Sequence, residues 1–223
     1  MFDGLVERYD LLNAVLSLGL DRRWRRTART ALEASPGDRI LDLGCGTGDL
    51  SRPLVGTVSV VGVDLSHPML LRARTKGGPT GGLHLVEGNA FRLPFRAEAF
   101  DGALSGFVLR NLRDLPAAFD EMARVLRPGV RVALVDVTGP TRPVLRHGFD
   151  AYFGIVAPAA GRLVGKEREY RYLVRSLGHL PPAPEVCAML RRSGFARVES
   201  RPLTGGVVTL FTAMRERRRG RHG

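Results

Sequence analysis

Cysteine is scarce in this chain, where Cys45 and Cys187 stand alone among 223 residues. Two thiols cannot build a disulfide framework or an all-cysteine zinc site. Lysine is nearly absent too: Lys76 and Lys166 are its only occurrences, so the basic character is almost wholly arginine. Long apolar runs are missing as well. The stretch from Ala151 to Gly161 carries no charge, but it falls far short of the roughly 20 residues that cross a bilayer. The N-terminus has Asp3 and Glu7 where a signal peptide would place positive charge, so no leader is expected. These absences point to a cytoplasmic protein, soluble or peripheral at the inner face of the cell membrane. No set of metal ligands stands out.

What is present is an ordinary globular composition, 44% hydrophobic and 25% charged, of a size that one core can fill. The formal net charge is +12. Arg22, Arg23, Arg25 and Arg26 flank Trp24, and Arg215, Arg217, Arg218, Arg219 and Arg221 close the chain. The plainest reading of this excess is codon usage in a GC-rich genome. A sharper one is a face that meets anionic lipid headgroups. Nucleic acid is the weakest of the three, because a basic patch alone says little about readout. A homodimer is compatible with the sequence.

Hydrophobic periodicity organises the chain. Leu5, Leu12, Val15, Leu16 and Leu20 recur at helical spacing, and a second amphipathic stretch runs from Arg22 to Leu32 until Pro36-Gly37 breaks it. Strands are then expected at Arg39–Leu43, Val58–Val63, Leu83–Val86, Ala103–Phe107 and Val130–Val135. Helices are expected at Gly48–Val55, Pro68–Thr75 and Leu115–Leu126. Such alternation implies an α/β fold with a mostly parallel, doubly wound sheet. A further helix at Glu185–Ser193 precedes two final strands, Val198–Arg201 and Val207–Thr212. The link between these, Leu203-Thr204-Gly205-Gly206, is too short for a crossover, so they should pair antiparallel. The expected organisation is a single domain over 1–214, with a helical cap over 1–35 and a lid or insertion over 141–180. A disordered basic tail, 215–223, would follow.

The sharpest local signal is Leu41-Asp42-Leu43-Gly44-Cys45-Gly46-Thr47-Gly48-Asp49, which follows one expected strand and opens an expected helix. Glycines there permit a tight turn and close approach of backbone to a ligand. Asp64, at the end of the second strand, suits ribose hydroxyls. A dinucleotide fingerprint wants a third glycine where Asp49 stands, which argues against a nicotinamide oxidoreductase. Asp42 beside the glycines would repel a pyrophosphate but suits a ligand carrying ammonium and sulfonium centres. That points to S-adenosylmethionine, with Asp42, Gly44, Gly46, Thr47, Gly48 and Asp64 as the residues expected to hold it. Gly88-Asn89-Ala90 follows the third strand, where Asn89 and Ala90 would meet the adenine edge. Asn89 has an alternative reading as a turn residue. Asp101 reads equally as a strand anchor, and Cys45 as a small filler without a base to activate it.

Several segments resemble the C-methyltransferases of menaquinone and ubiquinone biosynthesis. They are Met1-Phe2-Asp3 through Tyr9-Asp10-Leu11-Leu12-Asn13, Leu18-Gly19-Leu20-Asp21-Arg22-Arg23-Trp24, and Leu93-Pro94-Phe95 after Gly88-Asn89-Ala90. Gly106-Phe107-Val108-Leu109-Arg110-Asn111, Val125-Leu126-Arg127-Pro128-Gly129, Tyr170-Arg171-Tyr172-Leu173 and Pro202-Leu203-Thr204-Gly205-Gly206-Val207-Val208 extend the likeness over nearly the whole chain. The resemblance implies a class I S-adenosylmethionine-dependent fold and methylation of a ring carbon of a prenylated quinol, demethylmenaquinol ahead of a benzoquinol. It implies Arg110 and Asn111 beside the quinol hydroxyls, with Tyr9 closing over the ring. Arg110 would stabilise a phenolate rather than act as a base, because a guanidinium stays protonated. Its bland alternative is an ion pair with Asp114. The aromatic-rich segment from Thr141 to Leu180 would cover the prenyl tail. Val108, where the family usually has glycine, Val130, Val174-Arg175 before Ser176, and Phe211, often histidine, depart from the pattern. Val108 and Arg175 fall where the acceptor pocket is expected, and they keep open a diverged C- or O-methyltransferase acting on another lipophilic phenol or secondary metabolite. An RNA methyltransferase is a more distant alternative.

Overall fold

A computed structural model of the chain describes residues 17–76, 82–140, 142–156 and 179–217. Strands β1 (Arg39–Leu43), β2 (Ser59–Asp64), β3 (Leu83–Glu87), β4 (Phe100–Gly106) and β5 (Leu126–Val137) pair in parallel. β6 (Phe195–Leu203) and β7 (Val208–Arg215) complete a seven-stranded sheet of order β3-β2-β1-β4-β5-β7-β6. β7 runs antiparallel to both β5 and β6, as the short Thr204–Gly206 link requires. Five α-helices are described: α1 (Asp21–Leu32), α2 (His67–Thr75), α3 (Leu115–Val125), α4 (Pro143–Ala151) and α5 (Ala183–Arg192).

The period of two along each strand divides the core between the faces of the sheet. Leu41 and Leu43 of β1 join Phe119 and Met122 of α3 and Val186 and Leu190 of α5 on one face. Ile40 and Leu104 join Trp24, Ala28 and Leu32 of α1 on the other. Phe211 of β7 is fully buried in the first cluster, an apolar place where a phenyl ring is at home and an imidazole would need a partner.

The sheet order reverses direction between β1 and β4, and in such sheets ligands bind at that crevice, beyond the carboxyl ends of the strands. The segments beyond Leu43, Asp64, Glu87, Gly106 and Val137 therefore form the business edge of the sheet.

The expected helix over Gly48–Val55 is the main correction. Only a three-residue 3₁₀ turn, Arg52–Leu54, forms there. Pro53 has no N–H to continue an α-helical ladder, and the Leu54 N–H bonds the Ser51 carbonyl at 2.9 Å instead of reaching back a full turn. The Leu50 carbonyl accepts from Arg29 Nη1 of α1 at 3.0 Å, so a side chain supplies the hydrogen bond that the helix would have made. The tail also begins later than 215: Arg215 ends β7, with Nε on the Ala123 carbonyl at 2.9 Å and Nη1 on the Gly194 carbonyl at 2.8 Å. Residues 1–16, most of the 141–180 segment and the chain beyond 217 lie outside the described residues.

Candidate active site

The loop after β1 is built by backbone. Gly44 N–H and Cys45 N–H both donate to the Val63 carbonyl at 2.8 and 3.0 Å, tying the loop to β2. Gly44 has φ +69, and a Cβ there would lie 2.4 Å from Val108 Cγ2. Gly46 has φ +52 and open space where its Cβ would stand, so the loop turns left-handed and leaves a vacant approach to its backbone. Asp64 braces this turn: Oδ2 accepts from Gly46 N–H at 2.8 Å and Oδ1 from Ser66 N–H at 2.9 Å. Its carboxyl is raised above the usual range by burial, against the pull of those donors. Thr47 is buried and accepts from Lys76 Nζ at 3.4 Å, while Lys76 is also ion-paired with Asp49. The glycine loop is thus fastened to the end of α2.

Asp42, one strand position before Leu43, is fully buried, and neither carboxylate oxygen has a hydrogen-bond partner. Burial pushes its pKa up to about 6, with the Ser51 hydroxyl, which completes no regular hydrogen bond, and the Arg25 guanidinium pulling it back. An ionisable group held buried and unsatisfied next to a ligand loop is a functional signal. At the end of β3, Gly88 N–H bonds the Asp64 carbonyl at 3.0 Å, which brings Asn89 and Ala90 beside Asp64. Asn89 is exposed, and its Oδ1 accepts from Phe91 N–H at 2.9 Å, so it does make a turn. Ala90 packs partly buried against the core. Cys45 lies buried against Gly62, its thiol pKa raised by burial and by Asp42 and Asp64, which is inert packing.

A second feature opens beyond β4 and β5. A cavity of about 290 Å³ is lined by Trp24, Arg25, Phe107, Arg110, Phe149 and Tyr152 among others. Trp24 is buried, donates from Nε1 to Thr204 Oγ1 at 2.9 Å, and lies 6.1 Å from the Phe107 ring. Phe107 holds φ +62, a left-handed conformation that costs a non-glycine residue about 1–3 kcal/mol; its N–H bonds the Val135 carbonyl at 2.8 Å. Arg110 sits in a short 3₁₀ turn and is buried. Its guanidinium is ion-paired with Asp136, whose Oδ2 also accepts from Arg110 N–H at 3.1 Å and whose Oδ1 accepts from Val137 N–H at 2.7 Å. Asp114, the alternative partner, instead caps α3 by accepting from Ala117 N–H at 3.0 Å. Asn111 is exposed and its N–H closes the turn onto the Val108 carbonyl at 2.9 Å. Val108 packs on Gly44 and is not among the cavity-lining residues. Tyr9 and Arg175 lie outside the described residues. Asp101 anchors the other end of the sheet, accepting from Arg39 N–H at 3.0 Å and pairing with Arg127.

The sequence agrees over residues 1–215 with the family model described as the ubiE/COQ5 methyltransferase family. The ubiquinone/menaquinone biosynthesis C-methyltransferase UbiE of Syntrophotalea carbinolica is 40% identical over 219 residues, 96% of this chain and 92% of that protein. A demethylmenaquinone methyltransferase of Streptomyces avermitilis is 41% identical over 212 residues, 94% and 90% of the two chains. The chain belongs to the ubiE/COQ5 methyltransferase family. Solved structures agree on the fold of this methyltransferase. A SAM-dependent methyltransferase from Aquifex aeolicus superposes with a TM-score of 0.63 at 18% identity, covering 88% of this chain and 92% of that one. The class I architecture, with its parallel sheet and terminal antiparallel hairpin, is therefore as the sequence implies.

As a member of this family the chain is an S-adenosylmethionine-dependent methyltransferase, and its own residues fit that cofactor. The unsatisfied Asp42 carboxylate offers an anion to an ammonium group, and the space over Gly46 admits a ligand against backbone. Three features of the methyltransferase carry no motif in the sequence. Asp136, a lone acid at the end of β5, fixes Arg110. Leu65, 73% exposed beside Asp64, offers a large apolar face at the end of β2. Arg25 and Arg29 of α1 turn inward, whereas Arg22, Arg23 and Arg26 face solvent. The spacing of Trp24, Ala28 and Leu32 marks the buried face, and extending it to Arg25 and Arg29 would have found both.

Proposed function

We propose that this methyltransferase transfers a methyl group from S-adenosylmethionine to a ring carbon of a prenylated quinol, demethylmenaquinol before a benzoquinol. The observation that carries the reading is the aromatic-walled cavity of about 290 Å³ with the buried Arg110–Asp136 pair in its wall. Bound S-adenosylmethionine supplies an electrophilic methyl on a sulfonium. Asp42, Gly44, Gly46, Thr47, Gly48, Asp64, Asn89 and Ala90 are the residues assigned to hold it.

A neutral aromatic C–H is a weak nucleophile, and loss of the phenolic proton drives electron density onto the ring. Arg110, oriented by Asp136, provides a fixed cation for the phenolate oxygen, stabilisation that is strong in a site from which water is excluded. Asn111 is assigned to orient a water that takes the proton, and Tyr9 to close over the ring. Trp24, Phe107, Phe149 and Tyr152 hold the ring in line and keep bulk water out. Positioning of this kind is worth roughly 7–11 kcal/mol. The ring proton displaced by the incoming methyl group would leave by way of the same water that Asn111 is assigned to orient, which restores aromaticity.

Residues 141–180 are assigned as the lid, and a single domain over 1–214 carries the whole site. Val144 of α4 is 84% exposed and Ile155 beyond it 70%, with Leu18, at 73%, on the cavity rim. Those apolar side chains near arginines suit the surface of an anionic membrane, where prenyl tails reside. No described helix is long and apolar enough to cross one.

The deciding experiment is methyl transfer from labelled S-adenosylmethionine to a short-chain demethylmenaquinol kept reduced, with a benzoquinol alongside. Labelled methylnaphthoquinol is the expected product. Binding of S-adenosylmethionine with no product from either quinol would overturn the acceptor and direct the search to other lipophilic phenols.

A further inference from the structure

The cofactor loop and the acceptor cavity meet at one side chain that neither motif includes. Arg25 of α1 lines the cavity with its side chain 13% exposed, and its charge reaches Asp42 at the base of the loop. Its guanidinium carbon lies 5.3 Å from the centre of the Phe107 ring, and Phe107 is the first residue after β4, the neighbour of β1 in the sheet. Arg25 Nε stands 3.5 Å from Asp21 Oδ2, yet it is buried and makes no hydrogen bond. Asp42 on β1 is buried with both oxygens unsatisfied, and the Arg25 charge is close enough to favour its ionised form. A cation and an anion, each incompletely bonded, thus flank the gap between the ends of β1 and β4 without bonding to each other.

Buried polar groups are normally bonded, so a pair left in this state calls for a partner that the protein itself does not supply. A ligand that completes both must carry an anion and a cation a few bonds apart. An α-amino acid group is such a zwitterion: its ammonium meets Asp42, and its carboxylate meets the guanidinium, the geometry for which arginine is suited. We propose that Arg25 binds the α-carboxylate of the methionyl part of S-adenosylmethionine, with Asp42 on the ammonium, so that α1 reads the amino-acid end of the cofactor. The assignment rests on the cofactor reading above. It also gives Phe107 a role, since its ring supports the guanidinium from one face while the strained backbone holds that ring in place.

The test uses equilibrium binding to the full chain of S-adenosylhomocysteine and of 5′-methylthioadenosine, which keeps the nucleoside and thioether but lacks the amino-acid group. Wild-type protein should bind the first at least tenfold more tightly. In Arg25→Met, which keeps an apolar stem over Phe107, affinity for S-adenosylhomocysteine should fall tenfold or more while that for 5′-methylthioadenosine stays unchanged. Arg25→Lys should recover part of the loss. An equal fall for both ligands in Arg25→Lys would overturn the proposal, because the residue would then only shape the fold. So would unchanged S-adenosylhomocysteine affinity in Arg25→Met with a raised KM for the quinol, which would give Arg25 to the acceptor. Wild-type protein that binds neither compound would instead remove the cofactor reading beneath it.

Discussion

The two halves of the site are made by different means. The proposed cofactor end is built around one continuous segment, Asp42 to Gly48, shaped by glycine φ angles and braced by Asp64 at the end of β2, with Asn89 and Ala90 brought alongside. The proposed acceptor end is a cavity assembled from α1, the turn after β4, the end of β5, α4 and the link between β6 and β7. Backbone shapes most of the first, with a few carboxylates to complete it, and side chains from remote segments make the second. A backbone site can be shared by acceptors of any kind, whereas a side-chain site is where one methyltransferase differs from another. Disturbing the acceptor end should therefore alter turnover and KM with cofactor affinity intact, and disturbing the cofactor end should do the reverse.

The largest effect is expected at Asp136. It accepts hydrogen bonds from Arg110 and Val137 while fully buried, and removing one partner of a buried pair leaves the other charge uncompensated, at about 3–5 kcal/mol. Asp136→Ala should lower the thermal midpoint accordingly and abolish turnover, and Asp136→Asn should recover part of the stability. At a temperature where the variant stays folded, S-adenosylhomocysteine affinity should match wild type. A loss of that affinity equal to the loss of turnover would show that the two halves are not separable at this point.

Asp42 tests the other half, with opposite signs for stability and binding. Its folded pKa, about 6, lies above the ordinary carboxylate value of 3.8 because burial penalises the charged form. Below about pH 4 both folded and unfolded chains hold the proton, and Asp42 contributes nothing. As pH rises towards 6 the unfolded chain ionises first, so stability falls. Above 6 the full penalty, on the order of 3 kcal/mol, remains. Asp42→Asn should therefore raise the thermal midpoint of the ligand-free protein at pH 7.5 or so, with the gain vanishing near pH 4. The same variant should bind S-adenosylmethionine at least tenfold more weakly. Wild-type affinity should likewise decline as pH drops through about 6 and Asp42 takes up its proton. A variant no more stable than wild type at neutral pH would mean that the Asp42 carboxylate is not an unsatisfied group held for a ligand.

The same contrast explains what the sequence discloses. Parallel strands read as apolar runs, the hairpin follows from a link too short for anything else, and the glycine loop follows from residues adjacent in the chain. The helix expected over Gly48–Val55 does not form, because its apolar spacing, Leu50 with Leu54, is not enough to extend a helix through Pro53. Pro53 ends the ladder after one turn, and a side chain from α1 takes the carbonyl so freed. At the acceptor end, Arg110 was legible only through its resemblance to a family motif. Asp136 was not, since a single acid at a strand end has many uses and its partner is 26 positions away. Arg25 was grouped with its neighbours as surface charge because arginine is mostly exposed. A long stem that buries its methylenes while the head group reaches a cavity defeats composition-based reading.

The smallest expected effect lies at the hinge between α1 and the sheet. Trp24 is buried between Phe107 and the Thr204 hydroxyl, and its indole N–H makes the only polar tie the described residues show between α1 and the β6–β7 link. Trp24→Phe keeps an aromatic ring against Phe107 and removes that one hydrogen bond, leaving the hydroxyl to find another partner. A net loss of about 1 kcal/mol in unfolding free energy is expected. Helix α1 also carries Arg25, so its placement bears on both halves of the site. If the tie only stabilises the fold, KM for the quinol and affinity for S-adenosylhomocysteine will stay within about twofold of wild type. If it sets the position of α1 over the cavity, KM will rise more than stability alone can explain, because even a small misplacement of a positioning group is expensive in rate. A rise in KM with cofactor affinity unchanged would place the control of α1 on the acceptor side; parallel losses in both would make α1 the element that couples the two halves.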